Sequence, residues 1–366
     1  MTFAPTADPV GGGQSLGPAT LADPWGVVSM KVAVLGAGSW GTTLASLLSP
    51  GHEVVLWARD AEVAEEVEQE HRNEAYLPGF VLEPSLRATD DPERAVGDAE
   101  LVVIAIPSKY FRAVMELAGP FIPATADVVS VTKGIELGTG ARMSEVVLEV
   151  TDHDPGRVCA LSGPNLAREV MAGHPSATVL ACTDDDRAER LRHALTTGTF
   201  RVFTNRDLIG SELGGAVKNV IALAAGIGDG LGYGWNTKAA LITRGLTEIT
   251  RLGVALGASP MTFLGLAGNG DLTATCASPQ SRNRHVGEQL GAGRALAEII
   301  DEMHMVAEGV STTRPIVDLA RQHEVPMPIS QKVDSVLTGV LSPQEAVRQL
   351  MLYDPGPEFD GPLPSG

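Results

Sequence analysis

The sequence has few of the features that mark exported, membrane-spanning or nucleic-acid-binding proteins. Its three cysteines are odd in number and lack C-x-x-C spacing, which predicts reduced thiols in a cytoplasmic chain. No apolar run reaches the roughly 18 residues of a membrane helix, and the nearest, residues 220–228, stops at Asp229. The net charge is −18 with no run of Lys and Arg, which predicts no general attraction to nucleic acid or anionic lipid.

The two ends of the chain lack the patterns of folded elements. Residues 1–29 contain no Lys or Arg and no apolar block long enough for a secretory signal. We expect them to be a disordered extension, or to result from a translation start assigned too far upstream, because Met30 directly precedes the first strand pattern. Residues 354–366, rich in Pro and Gly, are expected to be a disordered tail.

The length of 366 residues exceeds that of one compact core, and the pattern divides the chain in two. Strand-like segments alternate with helical ones and are predicted at 32–35, 53–57, 101–106, 127–131, 158–162 and 177–181. This alternation predicts a parallel sheet covered by helices, an α/β domain over residues 30–212. The later segments, 213–256, 290–304, 312–323 and 343–352, predict an all-α domain over residues 213–353, with a ligand cleft at the join.

A glycine motif follows the first predicted strand. Residues 36–41 read GAGSWG, a G-x-G-x-x-G pattern between a strand and a helix. Gly36 permits the tight turn, Gly38 lets a pyrophosphate approach the backbone, and Gly41 lets the helix pack closely. The position favours a Rossmann-type dinucleotide site over a glycine turn that only packs.

Cofactor preference is expected to depend on the residues after the second predicted strand. Arg59 is placed to bind the 2′-phosphate of NADPH, whereas Asp60 leaves NADH possible. An equal alternative is that Arg59 is a surface cation paired with Asp60 or Glu62.

Lysine is scarce, with six residues among the 27 Lys and Arg, so a Lys retained in a motif points to a specific need for an ammonium. Lys133 follows the fourth predicted strand, at the carboxyl edge where open α/β sheets bind ligands. Lys218 is predicted near the start of the first helix of the second domain. A lysine on an apolar, glycine-rich helix needs partners, which favours a functional role over snorkelling.

Two further polar segments are candidate ligand sites. Residues 268–275 and 281–284 bring together Asp271, hydroxyls and two arginines, which suit a phosphate. Taken alone, the first segment favours a simpler alternative, in which Asp271 caps a helix and the arginines face solvent. Residues 162–165 are predicted to end a strand and start a helix at Pro164, with N–H groups free for an anion. The eight histidines and the cysteines show no metal-ligand spacing.

Together these segments resemble bacterial NAD(P)-dependent sn-glycerol-3-phosphate dehydrogenases over residues 31–352. The resemblance rests on GAGSWGTTLA, VTKGIE, LSGPNLAREV, ELGGAVKNVIALAAGIGDGLG, GLAGNGDLTATC and SRNRHVG. It implies reduction of dihydroxyacetone phosphate to sn-glycerol 3-phosphate with NADH or NADPH, for phospholipid synthesis.

The resemblance also implies roles for individual residues. The predicted cofactor contacts, including the three motif glycines, are Gly36, Gly38, Ser39, Trp40, Gly41, Arg59, Lys133, Ala167, Arg282, Val306 and Glu308. The predicted substrate contacts are Lys133, Gly163, Asn165, Lys218, Asp271, Ser281, Arg282 and Asn283. Asn165 departs from the Ser or Thr usual in the family, and Thr132 from the Ser common before the lysine.

In the implied mechanism, Lys218 protonates the carbonyl oxygen as hydride reaches the ketone carbon. Lys133 adds positive charge, Asp271 holds Lys218, and Arg282 with Asn283 fixes the phosphate. Burial and Lys133 lower the pKa of Lys218 while Asp271 raises it, and the sequence leaves open which effect is larger.

Two other functions are compatible with parts of this pattern. A related β-hydroxy-acid dehydrogenase would bind a carboxylate and need no phosphate receptor, and a non-catalytic dinucleotide sensor would lack the catalytic lysine. Glycine-rich faces in the second domain predict a homodimer. Because substrate and cofactor are polyanions, we expect Arg59, Lys133, Lys218, Arg282 and Arg284 to converge on one cleft despite the net charge of −18.

Overall fold

The computed structural model describes residues 28–303, 305–352, 354 and 356. The predicted disordered extension, apart from its last two residues, and almost all of the predicted tail lie outside the described residues. Within these residues, eight strands form one sheet: β1 (Lys31–Leu35), β2 (Glu53–Trp57), β3 (Arg87–Thr89), β4 (Leu101–Ile104), β5 (Asp127–Ser130), β6 (Val158–Ser162), β7 (Ser176–Ala181) and β8 (Phe200–Asn205). Their order in the sheet is β3-β2-β1-β4-β5-β6-β7-β8.

In the part of the chain that the structure describes, seven α-helices accompany the sheet, and most of them cover its faces. They are α1 (Ser39–Leu48), α2 (Ala61–Glu70), α3 (Pro92–Val96), α4 (Ser108–Ala118), α5 (Met143–Val150), α6 (Ala167–Met171) and α7 (Asp185–Leu195). Residues on both faces of the central strands are buried, as in β4 and β5. Such strands read as continuous apolar runs, which is why the sequence predicted them.

The sheet is mixed, so the prediction that it is parallel throughout was wrong at one edge. β6 and β7 pair antiparallel, whereas the other neighbouring strands are parallel. The link between β6 and β7 carries only the five-residue helix α6, about 7.5 Å long. A helix that short does not return the chain to the start of β6, so β7 runs back beside it.

Two strands were missed and two predicted strands are shorter than expected. β3 has three residues, and β8 lies at the sheet edge with only two of its six residues buried. Both therefore lack the apolar run on which the prediction relied. β4 ends at Ile104 and β5 at Ser130. Lys133 consequently lies in the loop after β5, the strand predicted as the fourth, and not at the end of that strand.

The rest of the described chain is helical. Its α-helices are α8 (Leu208–Gly230), α9 (Trp235–Ala255), α10 (Pro260–Leu264), α11 (Asp271–Ala277), α12 (Arg282–Gly291), α13 (Leu296–Asp301), α14 (Glu308–Gln322), α15 (Pro328–Leu337) and α16 (Pro343–Leu352). A short π-helical segment, Leu266–Gly270, precedes α11. The α/β architecture followed by an all-α region is confirmed.

Helix α8 is the core of this region, and it begins earlier than predicted. Asp207 caps it by accepting from the N–H of Gly210 at 2.8 Å, so Lys218 lies near the middle of the helix and not at its start. The predicted continuous helix 213–256 is broken by a turn at Gly232, whose φ is +80°. The predicted domain boundary at residue 213 falls inside α8, and the division into two domains stays a prediction.

Close packing of α8 against α12 explains the cluster of glycines. A Cβ on Gly226 would lie 2.0 Å from the carbonyl oxygen of Arg284, and one on Gly287 would lie 2.1 Å from that of Leu223. The two backbones therefore touch, and this close packing compensates for the low helix propensity of glycine. By length and composition α8 could cross a membrane, but 89% of its most apolar window is buried inside the protein.

Candidate active site

Two lysines from distant parts of the chain share one carboxylate. Lys133, in the loop after β5, donates from Nζ to Asp271 Oδ2 at 2.8 Å and to the carbonyl oxygen of Gly163 at 2.7 Å. Lys218, on α8, donates to Asp271 Oδ1. Their side chains are 17% and 6% exposed, and that of Asp271 is 2% exposed. The site is thus a buried cluster with two cations and one anion.

Thr275 completes the surroundings of Lys218; the sequence analysis included it in the candidate segment 268–275 but gave it no role of its own. Its Oγ1 accepts from Lys218 Nζ at 2.7 Å and donates to the carbonyl oxygen of Asp271 at 2.7 Å. Thr275 lies four residues after Asp271 on α11, so both side chains occupy one helix face. That spacing was the available signal.

Burial decides the pKa of Lys218, the question that the sequence left open. Removal of the ammonium from water lowers its pKa from 10.5 to about 8, and repulsion from Lys133 acts in the same direction. Attraction to Asp271 raises the pKa but does not offset these effects. The group can therefore gain and lose a proton near neutral pH.

Asp271 reaches α8 because the segment before it packs without side chains. A Cβ on Gly268 would lie 2.2 Å from the carbonyl oxygen of Phe263, and one on Gly214 would lie 2.5 Å from that of Ala267. The simpler alternative, in which Asp271 caps a helix, was wrong. Gly270 is the cap residue of α11, and the carboxylate of Asp271 faces the two lysines.

The glycine motif has the geometry of a dinucleotide-binding turn. Gly36 has φ +111°, and a Cβ on Gly41 would lie 1.9 Å from the carbonyl oxygen of Gly36. A Cβ on Gly38 would have nothing within 4 Å. Gly38 is the cap residue of α1 and offers no side-chain bond, so N–H groups of the first turn border open space.

The two residues after Gly38 contact the protein in different ways. Ser39 Oγ donates to the carbonyl oxygen of Tyr76 at 2.6 Å and lies 3.3 Å from Met305 Sδ. The ring of Trp40 packs at 5.9 Å from that of Phe200. Its Nε1 is buried without a hydrogen-bond partner among the described residues.

Arg59 is exposed at the end of β2 and forms no ion pair within the described part of the chain. Asp60 accepts from the N–H of Glu62 and caps α2. The alternative in which Arg59 pairs with Asp60 or Glu62 is therefore wrong. The guanidinium remains available to a ligand.

Arg282 and Glu308 influence each other electrostatically, and Glu308 lies close to Lys133. Arg282 is solvent-exposed, yet surrounding protein desolvates it enough to lower its pKa, an effect that Glu308 opposes. Burial raises the pKa of Glu308 to about 7, and Arg282 limits the rise. Glu308 Oε2 would lie 2.9 Å from a Cβ on Gly134, next to Lys133. This combination of exposure and desolvation is that of a cleft.

Asn283 links elements of the site through protein hydrogen bonds. Its Nδ2 donates to Asn219 Oδ1 at 2.9 Å, and its Oδ1 accepts from the N–H of Gly309 at 2.9 Å. Asn219 in turn donates to the carbonyl oxygen of Lys133 at 3.0 Å. The relay ties α8, α12 and α14 to the loop of Lys133. Asn219 was absent from the predicted site, although it follows Lys218 directly.

The remaining residues of the segment 281–284 stand beside this relay. Ser281 caps α12 by accepting from the N–H of Arg284 at 3.2 Å. Arg284 binds Asp229 Oδ2 at 2.7 Å, with Lys238 on the same carboxylate. The structure therefore brings Lys133 and Lys218 together on Asp271, and it engages Arg284 with Asp229. Arg282 approaches this group through Glu308. No contact among the described residues joins Arg59 to it, so the five cations do not all converge.

The loop after β6 runs along the same region. Gly163 presents its carbonyl to Lys133, and Asn165 Nδ2 donates to Thr178 Oγ1 at 3.0 Å. The predicted helix start at Pro164 was wrong, because α6 begins at Ala167 and residues 163–166 remain a loop against β7. Ala167 lies beside α1, with its carbonyl 3.4 Å from Thr43 Oγ1. Val306 is half-buried just before α14.

Metal ligands are not grouped in this region. Among the residues that the structure describes, no three or more His, Cys, Asp or Glu side chains form a cluster that could hold a metal ion. The three cysteines are buried and free.

Known families match both halves of the chain. The model for the N-terminus of NAD-dependent glycerol-3-phosphate dehydrogenase matches residues 31–188, and the model for its C-terminus matches residues 207–348. A glycerol-3-phosphate dehydrogenase [NAD(P)+] of Sphingopyxis alaskensis is 50% identical over 329 residues, covering 90% of this chain and 98% of the relative. A glycerol-3-phosphate dehydrogenase [NAD(P)+] of Mycobacterium tuberculosis is 50% identical over 325 residues, which cover 88% of this chain and 97% of the relative.

A solved structure shows the same architecture. The glycerol-3-phosphate dehydrogenase of Coxiella burnetii superimposes with a TM-score of 0.83 at 39% identity, over 88% of this chain and 99% of that one. Agreement thus extends over both the sheet and the helical region. The chain belongs to the NAD-dependent glycerol-3-phosphate dehydrogenase family.

Proposed function

We propose that the chain reduces dihydroxyacetone phosphate to sn-glycerol 3-phosphate, reversibly, with NADH or NADPH, and so supplies glycerophospholipid synthesis. The observation that carries the mechanism is the cluster of Lys218, Lys133 and Asp271, in which the pKa of Lys218 is lowered to about 8. Ketone reduction needs a group that gives a proton near neutral pH, and this ammonium has that property.

The glycine turn fits the pyrophosphate of a dinucleotide. The open space at Gly38 and the start of α1 can accept phosphate groups, and Arg59 can bind a ribose phosphate. We assign Ser39, Trp40, Gly36, Gly41, Ala167, Val306 and Glu308 to the same site. A reduced nicotinamide, when bound, supplies the hydride.

The residues of the cluster then act on the ketone. Lys218 donates its proton to the carbonyl oxygen and takes it back in the oxidative direction. Lys133 stabilises the negative charge that grows on that oxygen, and Asp271 orients both ammonium groups. Gly163 positions Lys133 through its carbonyl.

Arg282 is the proposed phosphate receptor. It is exposed within a desolvated cleft, where a guanidinium binds phosphate through paired N–H donors. Ser281 and Asn283 support the start of α12, and Asn165 borders the substrate. Binding the phosphate away from the reacting carbon orients the ketone.

The pH dependence should differ between the two directions. Reduction needs Lys218 protonated, so its kcat/KM should fall about tenfold per pH unit above the pKa of about 8. Oxidation needs the neutral amine, so its kcat/KM should fall as pH drops below the same value. Initial rates from pH 6 to 10 in both directions measure this, and parallel profiles would exclude Lys218 as the proton carrier.

Alanine at Gly38 should separate folding from cofactor binding. A Cβ there meets no atom within 4 Å, so the free energy of unfolding should fall by no more than about 1 kcal/mol, the cost of alanine at a helix N-cap. The methyl group would occupy the approach of the pyrophosphate and weaken dinucleotide binding by about tenfold or more. Fluorescence titration with NADPH measures the affinity. Gly234→Ala, also without neighbours within 4 Å, is the matched control and should bind normally.

Substrate comparison tests the function itself. Steady-state oxidation of NADPH and NADH is measured side by side with dihydroxyacetone phosphate, dihydroxyacetone and a β-keto acid. Rapid turnover of the phosphorylated ketone alone is expected, because Arg282 then contributes to binding. Equal rates with and without phosphate would favour the β-hydroxy-acid alternative, and cofactor binding without turnover would favour the sensor.

We further propose a cytoplasmic homodimer. The three free, buried thiols fit a reducing compartment. The glycine-rich faces pack inside the chain, so they no longer support a dimer. Exposed apolar side chains at Tyr233 (43%) and Trp235 (74%) offer an alternative contact. Light scattering of the purified chain tests the assembly.

A further inference from the structure

Two buried polar atoms flank Gly163 without partners. Ser162 is 3% exposed, and its Oγ has no hydrogen-bond partner among the described residues. The same holds for Asn165 Oδ1. Buried polar groups are nearly always paired in folded proteins, because an unpaired one keeps its desolvation cost. Two such atoms in one loop are free to bond to a bound molecule, either a water or part of a ligand.

Thr178 fixes the orientation of the Asn165 amide. The hydroxyl of Thr178 has one proton, which it donates to the carbonyl oxygen of Ser162 at 3.0 Å. Its oxygen can therefore only accept from Asn165, and the amide must present Nδ2 at 3.0 Å. Oδ1 then faces away from Thr178. Asn165 is thus set as an acceptor, unable to offer its NH₂ group in that direction.

The loop borders the lysine cluster. A Cβ on Gly215 would lie 2.9 Å from Ser162 Oγ and 3.3 Å from Lys133 Cγ, so this hydroxyl lies beside the Lys133 side chain. Pro164 Cδ would lie 3.8 Å from a Cβ on Gly270, the residue before Asp271. Ser162 Oγ therefore lies in the region where the substrate is proposed to react, and the loop that carries Asn165 runs beside the start of α11.

Only one group of the substrate has the required chemistry, given the proposed function on which this step rests. Dihydroxyacetone phosphate carries a ketone, a phosphate and a primary alcohol. The ketone and the phosphate dianion accept hydrogen bonds, whereas Asn165 Oδ1 needs a donor. The alcohol can donate to Asn165 and accept from Ser162 Oγ at the same time.

We propose that Ser162 and Asn165 bind the free primary hydroxyl of the substrate, with Thr178 as the positioning residue that sets the Asn165 amide. We call these three residues the hydroxyl pocket. Ser162 and Thr178 then have roles in substrate selection, and Asn165 Oδ1 accepts from the primary hydroxyl of the substrate. The pocket distinguishes the substrate from phosphorylated ketones that lack the alcohol.

The test compares two substrates, dihydroxyacetone phosphate and hydroxyacetone phosphate, in which a methyl group replaces CH₂OH. The unmodified chain should favour the first in kcat/KM by about 10- to 100-fold, because the analogue leaves the pocket unpaired. In Asn165→Leu, which keeps the side-chain shape, this preference should fall at least about fivefold. Ser162→Ala should lower it about threefold or more. Differences in ketone reactivity cancel when the preference is compared between variants.

Thr178 gives a second, independent readout. Thr178→Val removes the hydroxyl and frees the amide to turn, so the preference should fall although Thr178 does not touch the substrate. Thr178→Ser keeps the hydroxyl, so this variant should retain the substrate preference of the unmodified chain. A general loss of stability would lower kcat/KM equally for both substrates and leave the preference unchanged.

The outcomes separate this inference from the proposed function. The hydroxyl pocket is wrong if dihydroxyacetone phosphate is turned over and the substrate preference of every folded variant equals that of the unmodified chain. The variants compared are Ser162→Ala, Asn165→Leu and Thr178→Val. If the unmodified chain does not reduce dihydroxyacetone phosphate, the proposed function fails instead. Ser162→Ala removes a single oxygen from a strand end, so it carries the test if the larger changes prevent folding.

Discussion

Replacing Lys218 with methionine is expected to lower kcat for dihydroxyacetone phosphate reduction by about 10³- to 10⁴-fold. The change removes the proposed proton donor and one positive charge from beside the carbonyl oxygen. The apolar stem is kept, so packing of this α8 side chain against α11 is preserved. Absorbance of the reduced cofactor measures turnover, and fluorescence titration should show that NADPH binding persists.

A matched control separates this effect from the loss of any lysine. Lys332 on α15 donates to Gln349 and touches none of the site residues. Lys332→Met should therefore keep kcat within about twofold, since surface changes of this kind cost little. Unchanged turnover in Lys218→Met would remove the proposed acid and shift the assignment to Lys133.

Replacing Asp271 with asparagine is expected to damage both stability and activity. The amide keeps the shape of the carboxylate but leaves the ammonium groups of Lys133 and Lys218 without a counter-charge. Breaking a buried ion pair in this way costs about 3–5 kcal/mol. The orientation of both lysines is lost as well, so kcat should fall at least about a hundredfold.

The stability deficit of Asp271→Asn should shrink as pH rises. Attraction to Asp271 raises the pKa of Lys218, so its removal moves that pKa below about 8. The unfolded lysine titrates near 10.5 and binds more protons than the folded one between these values. Between the lowered pKa of the variant and about 8, the folded variant has lost the Lys218 proton that the folded unmodified chain still holds, so only the variant gains stability with pH there. Above about 8 both chains gain equally. Urea unfolding at pH 6.5 and pH 9 measures the change, and an equal deficit at both would contradict it.

A second carboxylate in the helical region provides the control. Asp229 binds Lys238 and Arg284 but neither Lys133 nor Lys218. Asp229→Asn should lower the free energy of unfolding while kcat stays within about tenfold, because the proton donor is intact. Equal losses of kcat in both variants would show that stability alone explains the effect.

Local patterns predicted the central fold well because burial there is continuous along the chain. β1, β2 and the turn at residues 36–41 were predicted, since a buried parallel strand and a glycine turn depend on neighbouring residues. β3 and β8 were missed because edge strands bury little. The direction of β7 was also mispredicted, since it depends on the length of α6 and not on the composition of β7.

The candidate site was predicted by residue type but not by contact. The scarcity of lysine drew attention to Lys133 and Lys218, and the structure places both on Asp271. Thr275 and Asn219 were given no role of their own because each acts through a neighbour rather than through an obvious motif. Arg284 was expected in the cleft but is bound to Asp229.

By itself, the sequence determined the class of the molecule: a dinucleotide turn, an α/β domain before a helical one, and an acidic chain whose few lysines stand in motifs. Only the tertiary structure decided the chemistry of the site. Lys218 and Asp271 are separated by 53 residues, and Lys133 and Asp271 by 138. The pKa of Lys218 depends on burial that these segments create together, and the Asn165 amide is oriented by a hydroxyl from another strand. Desolvation and hydrogen-bond direction are properties of the packed arrangement, which a linear pattern does not contain.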